Sequence, residues 1–263
     1  LATGLNSEEI NSAIQRFGIT KSTCPKQKDG PLLTLPYPGG RHPRIGFLDG
    51  AIDPQRETKL SIFTPWDSGS YVVVDLPEAI FTNLGLTYLA HTHVPTIWNE
   101  SGTDLEPLEW QRNANGSYEI TRVLPNSISY TTQAVPTEDA VHFRITLHNG
   151  SNETLTNQRL QNCVMLRGAP EFADLTTENR VLKTPYAAVH NRTQDRWTIT
   201  AWEPHLRFTG NRYCPCLHSD PYLPDCPPGE TVSTHGILTF YEGTDIESEL
   251  VRIDKTDWRS QLD

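Results

Sequence analysis

The stretch AVHFRITLHNGS, residues 140–151, decides the fold. Val141, Phe143, Ile145 and Leu147 alternate with His142, Arg144, Thr146 and His148. Successive side chains of an extended chain point to opposite faces, so the pattern predicts a strand with one face buried and one wet. The Asn149–Gly150 step that ends it is hairpin-turn chemistry. The same signals recur outward from this strand, in KLSIF (59–63), YVVVDL (71–76), YEITRVL (118–124), ISYTTQ (128–133), RLQNCVML (159–166), YAAVH (186–190), RWTITAW (196–202) and GILTFYE (236–242). These segments are short, rich in β-branched and aromatic residues, and bounded by Gly, Pro, Asn or Asp. The expected class is all-β: an antiparallel β-sandwich, supersandwich or jelly-roll-like, with long Pro-rich loops.

One helix is predicted ahead of the strands. In LNSEEINSAIQRFG (5–18), Asn6 caps, Glu9 completes a capping box, and Ile10, Ala13, Ile14 and Phe17 share one face until Gly18 ends it. Pro25, Pro31, Pro36, Pro38 and Pro43 then exclude regular structure from Thr20 to Arg44. The expected organisation is an N-terminal helix and Pro-rich arm over 1–44, packed on a single β-sandwich domain over 45–263.

At 263 residues the chain can bury a substantial core. A net charge of −10 and a pI near 5.4 argue against nucleic acid and anionic membrane as partners, since both call for basic patches. No apolar run is long enough to span a bilayer. The start at Leu1 rather than Met, together with few lysines, points to a secreted or periplasmic protein. N-x-S/T sequons fall at Asn99, Asn115, Asn149, Asn152 and Asn191. Of the five cysteines, one is left over in any fully oxidised scheme.

The segment EDAVHFRITLHNGSNETLTNQRLQNCVML (138–166) resembles the strand–turn–strand unit of galactose-mutarotase-like β-sandwiches, where a V-x-F-x-I-x-L-x-N strand is followed by a segment covering the sheet. Many proteins of that architecture act on carbohydrates, as epimerases, lyases or accessory domains of glycosidases. The resemblance implies carbohydrate work and assigns no active-site residue.

The sharpest candidate for chemistry is GLTYLAHTHVPTIW (85–98). If Tyr88 to Val94 is extended, His91 and His93 project from one face, and two imidazoles one pleat apart can chelate a divalent ion. The pair resembles the opening H-x-H of the cupin metal motif, but Glu100 comes too late to serve as that motif's glutamate. His142, His148, Glu203, His205 and His235 are available as further ligands. Zinc is the first choice of cofactor, with copper, manganese or calcium as others. Histidines that bond only to neighbouring strands are the plainer reading.

The second candidate is CPCLHSDPYLPDC (214–226), read as a proline-rich loop. Cys214, Cys216, His218 and Cys226 are enough donors for a closed zinc site. In an oxidising compartment Cys226 would instead pair with Cys214 or Cys216, leaving the other to reach Cys24 or Cys163. Free thiols are the third alternative. In every case the loop's first role is to hold shape.

Two further clusters follow. GFLDGAIDPQRETK (46–59) places Asp49 among other charges in a turn-rich segment, where a carboxylate could do acid–base work on a sugar. AWEPHLRF (201–208) puts Trp202, Glu203, His205 and Arg207 at a strand end beside the cysteine segment. Trp66 and Trp98, next to proline-rich loops, are candidate platforms for a pyranose. No dinucleotide fingerprint, Walker loop, H-E-x-x-H or G-x-S-x-G is present.

The resulting expectation is a carbohydrate-active enzyme, a metal-assisted lyase or related sugar-modifying activity. His91 and His93 would hold the ion, Tyr88 or a histidine would move the proton, and Asp49 or Glu203 would share acid–base work in a hydrolase version. Trp66, Trp98, Trp202 and Arg207 would contact sugar. The alternative is a non-catalytic module that binds glycan or a partner protein.

Overall fold

Two antiparallel sheets pack against each other in the computed structural model, which describes residues 30–37, 58–90, 94–211 and 213–262. In chain order the elements begin with β1 (Thr34–Pro36), β2 (Lys59–Thr64), β3 (Asp67–Thr82), β4 (Gly85–Leu89), the one-turn helix α1 (Ile97–Glu100), β5 (Gln111–Arg112), β6 (Tyr118–Val123), β7 (Ile128–Pro136) and β8 (Ala140–Asn149). They continue with β9 (Arg159–Met165), β10 (Arg180–Lys183), β11 (Tyr186–His190), β12 (Arg196–Glu203), β13 (His205–Asn211), β14 (Cys214–Pro221), β15 (Thr231–Glu242) and α2 (Ile246–Asp254). The first sheet runs β1-β2-β3-β9-β14-β13, with β4 paired to β3. The second runs β10-β11-β12-β15-β8-β7-β6-β5. The all-β sandwich is the fold.

Strand β8 behaves as its alternation predicts. Val141, Phe143, Ile145 and Leu147 join the core between the sheets, while His148 on the opposite face is exposed. Leu60, Ile62, Val72 and Val74 come to the same core from the first sheet. Each fully buried side chain of this size contributes roughly 1.5–3 kcal/mol. Trp202 stacks on Phe143 with centroids 5.8 Å apart, and Gly236 admits it, because a Cβ there would lie 2.4 Å from the indole.

Three local readings are corrected. The segment from Thr20 to Arg44 is not wholly irregular: Thr34–Pro36 pairs with Leu60–Ile62 as an edge strand, where a proline at the end of the strand is tolerated. A C-terminal helix, α2, has no counterpart in the strand pattern. Asp245 caps it through the Ser248 N–H, and Leu250 and Ile253 bury against Trp197, Ile199 and Ala201 on the outer face of the second sheet. Most importantly, residues 214–221 are not a loop. CPCLHSDP is strand β14, paired with β9 on one side and β13 on the other, and buried along its whole length.

The predicted N-terminal helix, Cys24, Asp49, His91 and His93 lie outside the described residues. Among the described residues no helix is long and apolar enough to cross a membrane.

Candidate metal centre

Strand β14 reads as a loop because both its faces are covered, so it lacks alternation of apolar and polar residues. Leu217 turns to the core between the sheets, and Ser219 donates to the Pro185 carbonyl at 2.7 Å. The other face carries Cys214, Cys216, His218 and Asp220 in succession, one every second residue. Neighbouring strands add to that face in register. Cys163 on β9 pairs with His218, Asp75 on β3 pairs with Cys163, and Lys59 on β2 pairs with Asp75. Met165 pairs with both Cys216 and Val73.

The result is a buried donor group. The Sγ atoms of Cys163 and Cys216 and a ring nitrogen of His218 lie within 4.8 Å of one another. The three residues are only 4%, 3% and 3% exposed. A tetrahedral zinc ion with two sulfurs and one nitrogen sets donor separations of roughly 3.5–3.8 Å. The observed separations, none above 4.8 Å, exceed these by no more than about 1 Å, so small χ1 adjustments would close the group on an ion. Cys214 adjoins it, its thiol 3.5 Å from the Met165 sulfur.

Asp220 holds the imidazole from behind. Asp220, fully buried, places Oδ1 3.3 Å from His218 Nδ1 and accepts the Asn162 N–H on the same oxygen at 3.1 Å. Its Oδ2 accepts from Thr209 Oγ1 at 2.9 Å and Arg207 Nε at 3.3 Å. A carboxylate on Nδ1 turns Nε2 toward the sulfurs, the arrangement that orients metal-binding histidines. Further along the row, Lys59 Nζ lies 3.0 Å from Asp75 Oδ2, both side chains are buried, and Thr58 Oγ1 donates to Asp75 Oδ1.

The electrostatics sort the sulfurs into unlike states. Hydrogen bonds from Cys163 and then Cys214, together with His218, hold the Cys216 thiol far below its ordinary range despite burial. The hydrogen bond to Cys216, then burial and the charge of Glu78, push Cys163 well up. Cys214 moves up for the first two reasons. Burial pulls His218 down, but Asp220, Cys216 and Glu78 outweigh it and raise the ring to about 10. The two shifts run in complementary directions, the Cys216 thiol toward its charged form and the His218 ring toward its protonated form.

The other predicted residues fall elsewhere. Cys226 is buried in the core between the sheets, its thiol donating to the Glu230 carbonyl at 3.3 Å, apart from Cys214 and Cys216. Cys163, Cys214, Cys216 and Cys226 are all free thiols, so the disulfide expected among them is absent. Tyr88 is sealed in the core with its ring against Tyr130, centroids 5.1 Å apart, and Trp202 is 1% exposed. Neither offers a surface to substrate. Glu203 is engaged by Arg259 through both carboxylate oxygens. Trp66 donates to Glu171 and lies edge-on to Phe240, and Trp98 donates to the Thr87 carbonyl at 2.7 Å, so both are half-buried packing residues. His205 packs on Phe208 at the sheet edge, and burial lowers its pKa. His142, His148 and His235 stand on the second sheet. Arg207 serves Asp220.

Cys163 is the donor that local spacing in the sequence does not single out. The sequence offers it only as a disulfide partner for Cys214 or Cys216, because the strand RLQNCVML gives no sign of pairing with the segment that carries them.

No protein-family model matches the chain, and no curated protein matches it. Among solved structures, one chain described as a kojibiose phosphorylase from the human microbiome is similar at 9% identity and a TM-score of 0.39, over 57% of this chain and 21% of that one. This chain thus spans about a fifth of that protein's length, and a likeness of that depth carries no argument about activity.

Proposed function

We propose that this chain is a metal-dependent protein acting on carbohydrate, with a thiophilic divalent ion held by Cys163, Cys216 and His218. One observation carries the reading: two sulfurs and an imidazole converge within 4.8 Å on three adjacent buried positions of neighbouring strands. Sulfur and imidazole suit zinc first and copper next, whereas calcium and manganese ask for oxygen ligands. Three protein donors leave one tetrahedral position for water, a substrate oxygen or a further side chain, and His91 and His93 are the side chains proposed for it. A bound ion supplies Lewis-acid stabilisation of a developing oxyanion or a uronate carboxylate. The protein's part is to fix the donors on paired strands and to hold the His218 ring through Asp220. The carbohydrate part rests on the β-sandwich frame and on the resemblance of the β8–β9 unit to galactose-mutarotase-like sandwiches.

Metal analysis of the purified chain tests the reading. The expected result is about one equivalent of zinc, lost in Cys163→Ser, Cys216→Ser and His218→Ala while the circular-dichroism spectrum is kept. His91→Ala and His93→Ala, measured alongside, report whether either completes the set. A wild-type chain that holds no metal after chelator-free purification and reconstitution overturns it.

A second reading is favoured by the contact between Cys216 and His218, with Asp220 behind the ring. A thiolate activated by an imidazolium is a nucleophile. Alkylation of Cys216 in metal-free native protein faster than that of the equally buried Cys163, and slowed in His218→Ala, would support it. Resistance to alkylation would eliminate it.

A further inference from the structure

The two sheets end side by side, β10 closing the second and β13 closing the first. Between these edges opens a cleft of about 630 Å³, inside the range of small-molecule sites. Leu175, Leu182 and Phe208 supply apolar lining, and Glu178, Arg180 and Thr209 supply polar groups. Such a mixture suits a sugar, which offers a C–H face to a ring and hydroxyls to polar side chains.

Arg180 sharpens the ligand class. It makes no salt bridge among the described residues, and its Nε is buried without a hydrogen-bond acceptor. Its Nη1 lies 2.6 Å from where a Cβ on Gly210 would stand, so only glycine lets the guanidinium settle over this backbone. A guanidinium has donors in a planar fork and no acceptor, and a buried donor left without a partner is rare in native proteins. The chain is acidic overall, yet among the described residues no carboxylate lies within salt-bridge distance of this cation, and Phe208 lines the same cleft.

We infer that the cleft between β10 and β13 binds a carboxylate-bearing sugar, with the fork of Arg180 on the carboxylate and Phe208 beneath the ring. Glu178 accepts from the hydroxyls. Thr209 joins the cleft to the other site, since it lines the cavity and donates to Asp220, the carboxylate behind His218. The inference rests on the carbohydrate part of the proposed function and not on its metal part.

Calorimetric titration of the whole chain with trigalacturonate and with neutral galactotriose tests it. Trigalacturonate should bind saturably and more weakly as salt rises, and galactotriose at least tenfold more weakly, about the loss of one charge-assisted contact. Arg180→Ala should lose roughly tenfold or more, Arg180→Lys should recover only part because a point charge replaces the fork, and Gly210→Ala should weaken binding by displacing the guanidinium. Melting curves establish that each variant is folded, and Arg180→Lys with Gly210→Ala decide if Arg180→Ala is not. Cys216→Ser should keep trigalacturonate binding while losing metal, so the two sites can fail separately. Equal binding of the neutral trimer, no binding of the acidic one, or binding that follows the ion and ignores Arg180 overturns the inference.

Discussion

Cys163 and His218 sit directly opposite each other on adjoining strands of the first sheet. Their separation is therefore set by the ladder between β9 and β14 and not by a loop. A donor pair on paired strands is preorganised, and its stiffness is shared with the groups that support it. Asp220 is the most important of these.

Asp220→Ala removes the acceptor facing His218 Nδ1 and strands the Asn162 N–H, the Thr209 hydroxyl and Arg207. Zinc affinity should fall about 10–100-fold, the usual loss when the carboxylate that orients a metal-binding histidine is removed. Competition with a chromophoric chelator measures it.

Lys59 and Asp75 form a buried pair 3.0 Å apart. Lys59→Met should cost about 3–5 kcal/mol, because the Asp75 carboxylate stays behind in a low-dielectric site. Urea unfolding, read as a shift of midpoint at constant slope, gives the value.

Gly236→Ala would drive a methyl group into the Trp202 indole, with nearest atoms at 2.4–2.7 Å. Trp202 is stacked on Phe143 and has little room to move. The substitution should destabilise by about 1–3 kcal/mol, visible in the same unfolding assay, while leaving metal content unchanged.

The four described cysteines are thiols. Alkylation in denaturant without reductant, followed by mass spectrometry, should label Cys163, Cys214, Cys216 and Cys226 in metal-free protein. Recovery of any of these as a bridged peptide would contradict that assignment.

Burial lowers the pKa of His142. The unfolded chain, at the ordinary value near 6.5, therefore takes up the proton first as pH falls. Its contribution opposes folding progressively below about pH 6.5 and levels off below the folded value. His205 acts in the same direction. The melting temperature should drop between pH 7 and pH 5, and His142→Gln should make that drop smaller.

Much of the frame was legible before any coordinates. β8 announced itself through Val141, Phe143, Ile145 and Leu147, because one side of its sheet is wet and alternation survives. β14 stayed hidden because both its faces are covered and Pro215 and Pro221 stand inside its ends, where composition suggests a turn. The α2 helix was missed because Leu250 and Ile253 are few signals in a charged segment, and Trp258 completes the apolar face beyond the helix end. At the site, Cys216 and His218 could be picked out by residue type, while Cys163 was legible only as a disulfide partner and not as a third donor. Their meeting depends on the pairing of β9 with β14, a long-range fact that local spacing does not encode.

Lys59, Asp75, Cys163, His218 and Thr209 form one unbroken line of register partners across five strands. Whatever tightens or slackens that line acts on the whole sheet at once, as a seam does on cloth. If Cys163, Cys216 and His218 hold the proposed ion, a copy deprived of it should open along the seam first and meet proteases sooner, so metal supply would govern how long the protein persists. Comparing its lifetime in chelated and zinc-replete medium reads this directly, and equal lifetimes would refute it.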